Sequence, residues 1–255
     1  MFKGQKTIGA LAGMALMGMS ASASAVTVLG ITWDPDSLVD FSAQQSVYEN
    51  FVSSVGDTLT FYGIVNQING VSNFTSPGRE LTFFGQYTVS QVLDVDADPY
   101  PDYVLFNNGT LSIYSDDSPD FNFMNPATAQ DGDLFLSLSG HDNTINIAGT
   151  NYVAELFGNI VSGELGTGNA GGSGAGLWDV IGGAAMAYFD TNTIADSNTP
   201  GGFADFRYST SFQENNVIVT GTAEMFGDSI PEPTTTALLG AGLLGLGVFR
   251  RRKRL

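Results

Sequence analysis

Strict alternation of apolar and polar residues recurs along the chain and constrains its fold more than any other feature. In "TLSIYS", Leu111 and Ile113 share one side of an extended chain, and Thr110 and Ser112 share the other. Because successive side chains of a β-strand point to opposite faces, this pattern is typical of half-buried strands. The same pattern is present in "TLTFYGIVNQI", "RELTFFGQYTVSQVLDV", "NTINIA", "YVAELFGNIV" and "NVIVTGTAEMF".

Short stretches rich in Asn, Asp, Gly, Ser and Pro separate these predicted strands, as in "NQINGVSN", "NNGT", "DDSPD" and "AQDGD". Many short strands with such turns between them favour antiparallel sheets that pack face to face. The sequence therefore predicts one all-β domain over residues 26–230, a single antiparallel β-sandwich or jelly-roll-like fold. Glycines inside the strand segments indicate bulges or close backbone approach: Gly63, Gly85, Gly158 and Gly221.

Two segments depart from the strand pattern. "DFSAQQSVYENFV" places Phe41, Tyr48 and Phe51 near a 3.6-residue period, so it is predicted as the one helix, with Asp40 as N-cap, although its residue types also suit a strand. Residues 163–176, "GELGTGNAGGSGAG", are mainly glycine and small polar residues, which gain too little from burial to offset the entropy of ordering. We interpret them as a flexible loop inside the domain.

The predicted domain is strongly acidic. Only Arg79 and Arg207, of the nine basic residues in the chain, lie within residues 26–230, whereas Glu232 is the one acidic residue of 26 that lies outside them. Such a surface repels phosphate backbones, so we expect no nucleic-acid partner. It favours solubility outside the cell and weak binding of divalent cations.

The side chains that most often carry catalysis are scarce. The chain has no cysteine, which leaves no disulfide and no thiolate chemistry. His141 is the only histidine, and zinc sites usually draw on several Cys and His ligands. Ser-His-Asp catalysis would have to use His141, but "SLSGHDNTINI" indicates a turn between two strands, so we interpret this histidine as a surface turn residue. The protein is therefore predicted not to be an enzyme.

One acidic segment has the spacing of a calcium loop. In "DVDADPYPDYVLF", Asp94, Asp96, Asp98 and Asp102 stand at positions 1, 3, 5 and 9 of the pattern, and alternate carboxylates in a tight loop supply the hard oxygen ligands that calcium prefers. The segment resembles the calcium loop of FG-GAP propeller repeats, except that Pro99 replaces the turn glycine and only one copy is present. A solvated acidic loop is the alternative interpretation.

Two further patterns bear on carbohydrate chemistry. The acidic turn "SDDSPD" contains Asp116, Asp117 and Asp120, and carboxylate pairs serve glycoside hydrolysis, but acidic residues are too frequent here for the sequence to select a pair. Large aromatic residues supply either a sugar-stacking surface or core packing. The aromatic residues in question are Trp33, Trp178, Tyr62, Tyr87, Tyr100, Tyr103 and Tyr114.

The first 25 residues have the parts of a secretory signal peptide. A positive start is followed by an apolar stretch and then by small residues, as signal peptidase requires. The defining positions are Lys3, Lys6, the apolar residues 8–19, Ala23 and Ala25. We therefore predict residues 1–25 as a signal peptide, signal peptidase as a processing partner, and Val26 as the mature N-terminus.

Residues 231–255 combine three elements in order. The motif Pro231, Glu232 and Pro233 is followed by an apolar run at residues 237–249, which is shorter than the roughly 20 residues of a membrane span. A basic cluster follows it: Arg250, Arg251, Arg252, Lys253 and Arg254. Because positive charge resists leaving the cytoplasm, this tail would hold the domain on the outer side of the inner membrane, and only marginally.

This arrangement resembles the tripartite signal of PEP-CTERM proteins, which are sorted in Gram-negative bacteria that make extracellular polysaccharide. The resemblance implies that residues 231–255 are a sorting signal with an apolar helix, which an exosortase recognises and removes near Pro231 to Pro233. It also implies export across the inner membrane, transient anchoring by the tail, and a final place at the cell surface or in the medium.

The body of the chain resembles the flocculation-associated PEP-CTERM proteins in "ITWDPDSLVDFSAQ", "GTLSIYSDDSPDFNFMNPATAQDGDLFLSL" and "GLWDVIGGAAMAYFDTNTI". The resemblance implies a non-enzymatic protein of the exopolysaccharide, biofilm or floc matrix, with extracellular polysaccharide as its partner. Two alternatives stay open. One is a calcium-assisted carbohydrate-binding module that uses the Asp94 loop and exposed aromatic residues, and the other is a secreted hydrolase with an unidentified carboxylate pair.

Overall fold

The structure of the protein, a computed structural model, describes residues 25–35, 41–96, 98, 100–197 and 202–230. This part of the chain is dominated by antiparallel strands, which confirms the predicted all-β class. The strands are β1 (Val26–Val28), β2 (Ile31–Trp33), β3 (Phe41–Glu49), β4 (Thr58–Ile68), β5 (Glu80–Leu93), β6 (Tyr103–Asp116), β7 (Asp133–His141), β8 (Asn143–Ile147), β9 (Thr150–Ala154), β10 (Leu156–Ser162), β11 (Gly171–Gly182), β12 (Ile194–Ala195), β13 (Phe203–Ala204), β14 (Phe206–Glu214) and β15 (Val219–Gly227). The helical elements are α1 (Met186–Phe189) and a 3-10 turn, Pro126–Ala129.

Nine of these strands form one antiparallel sheet that closes on itself. Their order is β10-β11-β14-β15-β3-β4-β5-β6-β7, and two further pairings, of β10 with β6 and of β7 with β11, join its edges. The position between β6 and β11 is shared, because β10 occupies one part of it and β7 the other. Closure pairs both edges of the sheet, which removes the unpaired edges that promote aggregation. The result is a barrel- or sandwich-like domain, in agreement with the prediction.

The inward face of the closed sheet carries the main core. Phe61, Tyr87 and Trp178 pack together at its centre with ring centroids 5.0 to 6.4 Å apart. Full burial of an apolar side chain such as that of Phe61 contributes about 1.5–3 kcal/mol to stability. Gly63 permits β4 to lie close to β3, because a Cβ at this position would overlap the Ser46 carbonyl oxygen. The close backbone approach predicted at Gly63 is therefore confirmed.

One end of the closed sheet is sealed by aromatic side chains. We call it the closed end, and it is where β3 and β14 begin and β15 ends. Phe189 of α1 lies at the centre of this plug, 4.9 Å from Trp33, 5.0 Å from Phe41 and 5.5 Å from Phe206 between ring centroids. The four residues are 0–3% exposed. The opposite end, where β3 ends and β4 and β15 begin, is called the far end.

A two-stranded hairpin packs on the outside of the closed sheet. Its strands β8 and β9 pair in register from Asn143 with Ala154 to Ile147 with Thr150. A second, smaller core forms beneath it around Leu105, with Tyr103 and Phe157 packed at its border. The hairpin therefore covers an apolar part of the outer face of β6 and β10, which would otherwise be exposed.

The predicted helix over "DFSAQQSVYENFV" is wrong. Residues Phe41–Glu49 form strand β3, which pairs with β15 on one side and β4 on the other. Phe41, Ala43 and Val47 are buried on one face, and this period of two serves a strand in the middle of a sheet. The aromatic spacing fitted both periods, and long-range pairing decided between them. The predicted N-cap, Asp40, lies outside the described residues.

The predicted flexible loop at residues 163–176 is wrong for its second half. Residues 171–176 form the start of β11, between β10 and β14. Glycine suits this strand because a Cβ on Gly172 would overlap the Asn159 carbonyl oxygen of β10. The preceding turn is also held in place, since the buried Glu214 carboxylate accepts hydrogen bonds from the backbone N–H groups of Gly166 (2.7 Å) and Gly168 (2.8 Å).

Candidate functional site

The outer faces of four neighbouring strands, β14, β15, β3 and β4, carry a continuous set of polar side chains, which are amides and hydroxyls except for the Glu224 carboxylate. Alternate residues of these strands point inward, so their polar neighbours face solvent. Ser211 Oγ lies 3.0 Å from Thr222 Oγ1, and Asn66 Nδ2 donates to Ser46 Oγ at 2.9 Å. We call this set the polar face: Gln44, Ser46, Asn66, Gln67, Ser209, Ser211, Thr222 and Glu224. Residues of all four strands line a depression that is open to solvent.

Aromatic rings border the polar face on one side. Tyr48 of β3, two residues beyond Ser46, stacks on Phe123 with ring centroids 5.1 Å apart and an interplanar angle of 18°. It also lies 6.0 Å from Tyr62, whose hydroxyl donates to the Phe123 carbonyl oxygen at 2.8 Å. Phe123 is 43% exposed. Tyr48, Tyr62, Phe121 and Phe123 are called the aromatic stack.

The sequence left open whether seven aromatic residues stack on sugars or pack in the core. Most of them pack in the core. Trp33, Trp178 and Tyr87 lie in the main core and Tyr103 packs against the second core, whereas Tyr62 is buried within the aromatic stack. Tyr100 is 45% exposed, at the acidic loop. The aromatic stack owes its two phenylalanines to the segment between β6 and β7, which sequence reasoning did not connect with β3 because the two are far apart along the chain.

The predicted calcium loop brings three of its four carboxylates together. Oxygen atoms of Asp94, Asp96 and Asp98 lie within 4.8 Å of one another, and all three residues are exposed. Asp102 is separate from this group and accepts a hydrogen bond from the Val95 N–H at 2.7 Å. Asp96 and Asp98 also accept backbone N–H groups inside the loop. Three exposed carboxylates suit a weakly held hard cation completed by water, and calcium binding stays a prediction.

The second acidic turn fastens the chain where β6 ends. Glu80 Oε1 accepts the backbone N–H of Phe121 at 2.9 Å, and Asp116 Oδ1 accepts that of Ser118 at 3.0 Å. Glu80 and Asp116 are buried, whereas Asp120 is exposed. Burial raises the pKa of Glu80, while its two backbone hydrogen bonds oppose the rise. These acids are engaged in holding a turn, which leaves them poorly placed as a catalytic pair.

His141 is not the free surface residue that we predicted. It is the last residue of β7, and its side chain is clamped between two carboxylates. Nδ1 lies 2.8 Å from both oxygens of Asp179, and Nε2 lies 2.8 Å from Oδ2 of Asp196. Burial lowers the pKa of His141, but the hydrogen bonds and charges of Asp196 and Asp179 outweigh it, so the pKa is raised. Neither ring nitrogen is free to activate a nucleophile.

The far end contains a cavity that sequence reasoning missed. It has a volume of about 50 Å³, is partly open to solvent, and has mainly apolar walls, among them Val52, Leu59 and Phe212. Glu49, the last residue of β3, also lines it. Burial raises the pKa of Glu49 to about 7. The signal was present in the sequence, because Glu49 continues the inward positions of β3 once that segment is treated as a strand.

Both ends of the described chain meet at the closed end. β1 and β2 form a hairpin there, and Trp33 of β2 donates from Nε1 to Ser229 Oγ at 3.1 Å. The Ile230 N–H donates to the Tyr188 carbonyl oxygen at 2.8 Å. The signal peptide predicted at residues 1–25 lies outside the described residues except for Ala25, and so does the whole tail, residues 231–255. In the part of the chain that is described, no helix has the length and apolar character needed to cross a membrane.

The domain is thus a closed antiparallel sheet, and its last described residue, Ile230, lies at the closed end. A family model for the PEP-CTERM protein-sorting motif matches residues 229–253. The chain therefore carries this sorting motif, which confirms the prediction made from Pro231, Glu232, Pro233 and the basic cluster. Comparison of the chain with curated proteins and with solved structures finds no match.

The motif has direct consequences for the fate of the chain. It is the recognition signal for processing by an exosortase, and it indicates export, anchoring through the C-terminus, and a surface or secreted destination. The match covers residues 231–253 of the tail and the last two residues of the body. What the body does must therefore be argued from its own side chains.

Proposed function

We propose that the exported protein is a non-enzymatic component of an extracellular polysaccharide matrix, of the kind that holds cells in biofilms and flocs. We further propose that it binds neutral polysaccharide on the polar face. The observation that carries the proposal is the position of Tyr48, whose ring borders a solvent-facing set of amide and hydroxyl groups. The sorting motif supports it, because the protein is exported and processed at the membrane.

The chemistry of the polar face suits a sugar polymer. Side-chain amides and hydroxyls both donate and accept hydrogen bonds, as sugar hydroxyls require. The partly exposed ring of Tyr48 offers a rigid contact surface at low conformational cost. A neutral polymer is favoured over an anionic one because the domain carries many carboxylates and only Arg79 and Arg207 as cations. An open depression across four strands also fits a chain better than a small molecule.

Geometry supports the non-enzymatic part of the proposal. In the described residues, the clustered buried acids Glu80 and Asp116 accept backbone N–H groups. The sole histidine has a carboxylate at each ring nitrogen. A hydrolase needs an acid and a base that are free to exchange protons with a substrate, and these candidates are already occupied.

The test compares two tyrosines on different parts of the surface. Exported wild-type protein, Tyr48→Ala and Tyr100→Ala are passed over immobilised matrix polysaccharide, with and without a chelator. We expect Tyr48→Ala to lose at least about tenfold in affinity, since loss of one stacking aromatic is worth more than about 1.4 kcal/mol. Tyr100→Ala should bind as the wild type does. Unchanged binding by Tyr48→Ala would refute the assigned face.

A calcium-assisted carbohydrate-binding module is the second candidate, and the convergence of Asp94, Asp96 and Asp98 favours it. In this case the chelator should abolish binding and Tyr100→Ala should weaken it, because Tyr100 is the exposed aromatic residue beside that loop. Chelator sensitivity with intact binding by Tyr48→Ala would replace the first proposal with the second.

The proposed function belongs to the mature chain that remains after both ends are processed. We expect the exported species to begin at Val26 and to end in the region of Pro231 to Pro233. Intact-mass spectrometry of the exported protein measures both ends at once. A mature pool that retains Arg250 to Arg254 would contradict removal of the tail.

A further inference from the structure

The far-end cavity contains two acids that differ in one respect. Glu214 is buried, and its carboxylate accepts the backbone N–H groups of Gly166, Gly168 and Ala170 at 2.7, 2.8 and 3.3 Å. The Glu49 carboxylate accepts no hydrogen bond from, and forms no ion pair with, any described residue. Glu214 therefore stabilises the fold through these hydrogen bonds, whereas Glu49 does not.

An unpartnered carboxylate in an apolar wall is costly to the folded protein. Glu49 is only partly accessible, through the cavity, and burial raises its pKa to about 7. The groups that face it are Tyr208 and Glu214 of β14, and neither supplies a positive charge. Burial, followed by the charge of Glu49, raises the pKa of Tyr208. A neutral side chain at this position, such as glutamine or leucine, would lower the stability of the folded protein less than glutamate does.

The walls around Glu49 define the rest of the site. Val52, Leu59, Leu156 and Phe212 present aliphatic and aromatic surface toward the same space. A volume of about 50 Å³ holds more than a single water, and the partial opening lets a longer molecule extend into solvent. The combination of one acid with apolar walls is complementary to a short chain with one positive end.

We propose that the far-end cavity binds a short aliphatic primary amine, whose ammonium group pairs with the Glu49 carboxylate and whose chain packs against Val52 and Leu59. The acidic surface of the domain raises the local concentration of such cations. The ammonium group would supply the hydrogen bonds and the charge that Glu49 lacks in the free protein. This site is independent of the polar face, so either proposal can fail without the other.

The first test uses ligands matched in shape but not in charge. Butylamine, butanol and butyrate are titrated calorimetrically into exported protein near neutral pH. We expect the amine to bind at least about tenfold more tightly than the alcohol, which corresponds to about 1.4 kcal/mol, and butyrate to bind most weakly. Equal affinity for amine and alcohol would reduce the site to an apolar pocket and overturn the proposal, as would the absence of binding by all three.

The second test removes the carboxylate. Glu49→Gln should lower the affinity for butylamine to that for butanol, whereas the matched surface variant Glu164→Gln should leave both unchanged. Glu164 is exposed and lies outside the cavity walls. A carboxyl NMR titration provides a readout independent of affinity, because bound amine should lower the pKa of Glu49. Retention of amine preference by Glu49→Gln, or an unchanged pKa on amine addition, would overturn the proposal.

Discussion

The two ends of the closed sheet differ in the hydrogen-bond partners of their buried carboxylates and in how tightly their side chains pack. At the closed end, the buried Asp205 carboxylate accepts the backbone N–H groups of Val180, Thr191 and Asn192, each at 2.7 Å. At the far end, the Glu214 carboxylate is held in the same way, but the Glu49 carboxylate has no such partner and lies against a cavity. The closed end is thus built for stability, while the far end keeps a cost that only a ligand would offset.

The largest effect should come from the packing difference between the ends. Phe189→Ala removes the centre of the aromatic plug and should lower the free energy of unfolding by about 3–5 kcal/mol, because the sealed site cannot refill with water. Phe212→Ala makes the same change beside the far-end cavity and should cost about 1–2 kcal/mol. Denaturant unfolding measures both. Equal losses would mean that the far end is packed as tightly as the closed end.

Neutralising one acid at each end should change stability in opposite directions. Asp205→Asn should destabilise by about 2–3 kcal/mol, because three N–H groups lose a charged acceptor. Glu49→Gln should stabilise by up to about 3 kcal/mol above pH 7, since the acid then no longer has to ionise inside the protein. The measurement is denaturant unfolding at neutral to alkaline pH, with Glu164→Gln as the control.

The pH window for Glu49 follows from the direction of its shift. A folded-state pKa of about 7 lies above the ordinary value of 4.5, so the contribution of Glu49 to stability is greatest at low pH and is lost as pH rises from 4.5 to about 7. Wild type and Glu49→Gln should therefore be equally stable near pH 4 and differ above pH 7. A constant difference across this range would contradict an unpartnered carboxylate.

A smaller effect on the free energy of unfolding is expected at His141, whose charge is paired with two carboxylates. Because the pKa of His141 is raised, its pairing with Asp179 and Asp196 stabilises the protein fully below pH 6.5 and is lost as pH rises through the folded-state pKa. His141→Gln should cost about 1–2 kcal/mol at pH 6 and progressively less at alkaline pH. Unfolding curves at both pH values check this, and an equal cost at both would mean that packing, not charge, holds the contact.

The smallest effect concerns calcium at the exposed loop. Asp96→Asn with Asp98→Asn should abolish any saturable rise in melting temperature on calcium addition. The control pair, Asp117→Asn with Asp228→Asn, removes two exposed charges that lie elsewhere. At a calcium concentration equal to Kd, the stabilisation is expected to be about 0.4 kcal/mol. Identical behaviour of the two pairs would identify the loop as a solvated turn.

The class of the fold could be predicted from local sequence patterns. The long-range strand pairings that close the sheet could not. Alternation predicted β4 and β5 because each buries one face. Closure depends on pairings such as Phe106 with Leu156 and Trp178 with Gly140, which no local pattern encodes. The error at β3 hid Glu49, since a helical period does not place it in phase with Val47.

The candidate sites divide in the same way. The sorting motif is contiguous, so the sequence alone reveals it. His141 meets Asp179 and Asp196 only through folding, at separations of 38 and 55 residues, and the aromatic stack joins β3 to Phe123 across the sheet. The spacing predicts that Asp94, Asp96 and Asp98 lie together, because one loop holds them. It does not reveal that Asp102 accepts a hydrogen bond from the Val95 N–H instead.

The most direct test of the matrix proposal is the aggregation of cells. A strain that lacks the protein is complemented with the wild type, Tyr48→Ala or Tyr100→Ala, and equal export is verified by mass spectrometry before sedimentation is scored. We predict that the wild type and Tyr100→Ala restore aggregation, and that Tyr48→Ala does not although it is exported and folded. Normal aggregation in the deletion strain, or full rescue by Tyr48→Ala, would contradict a matrix protein that acts through its polar face.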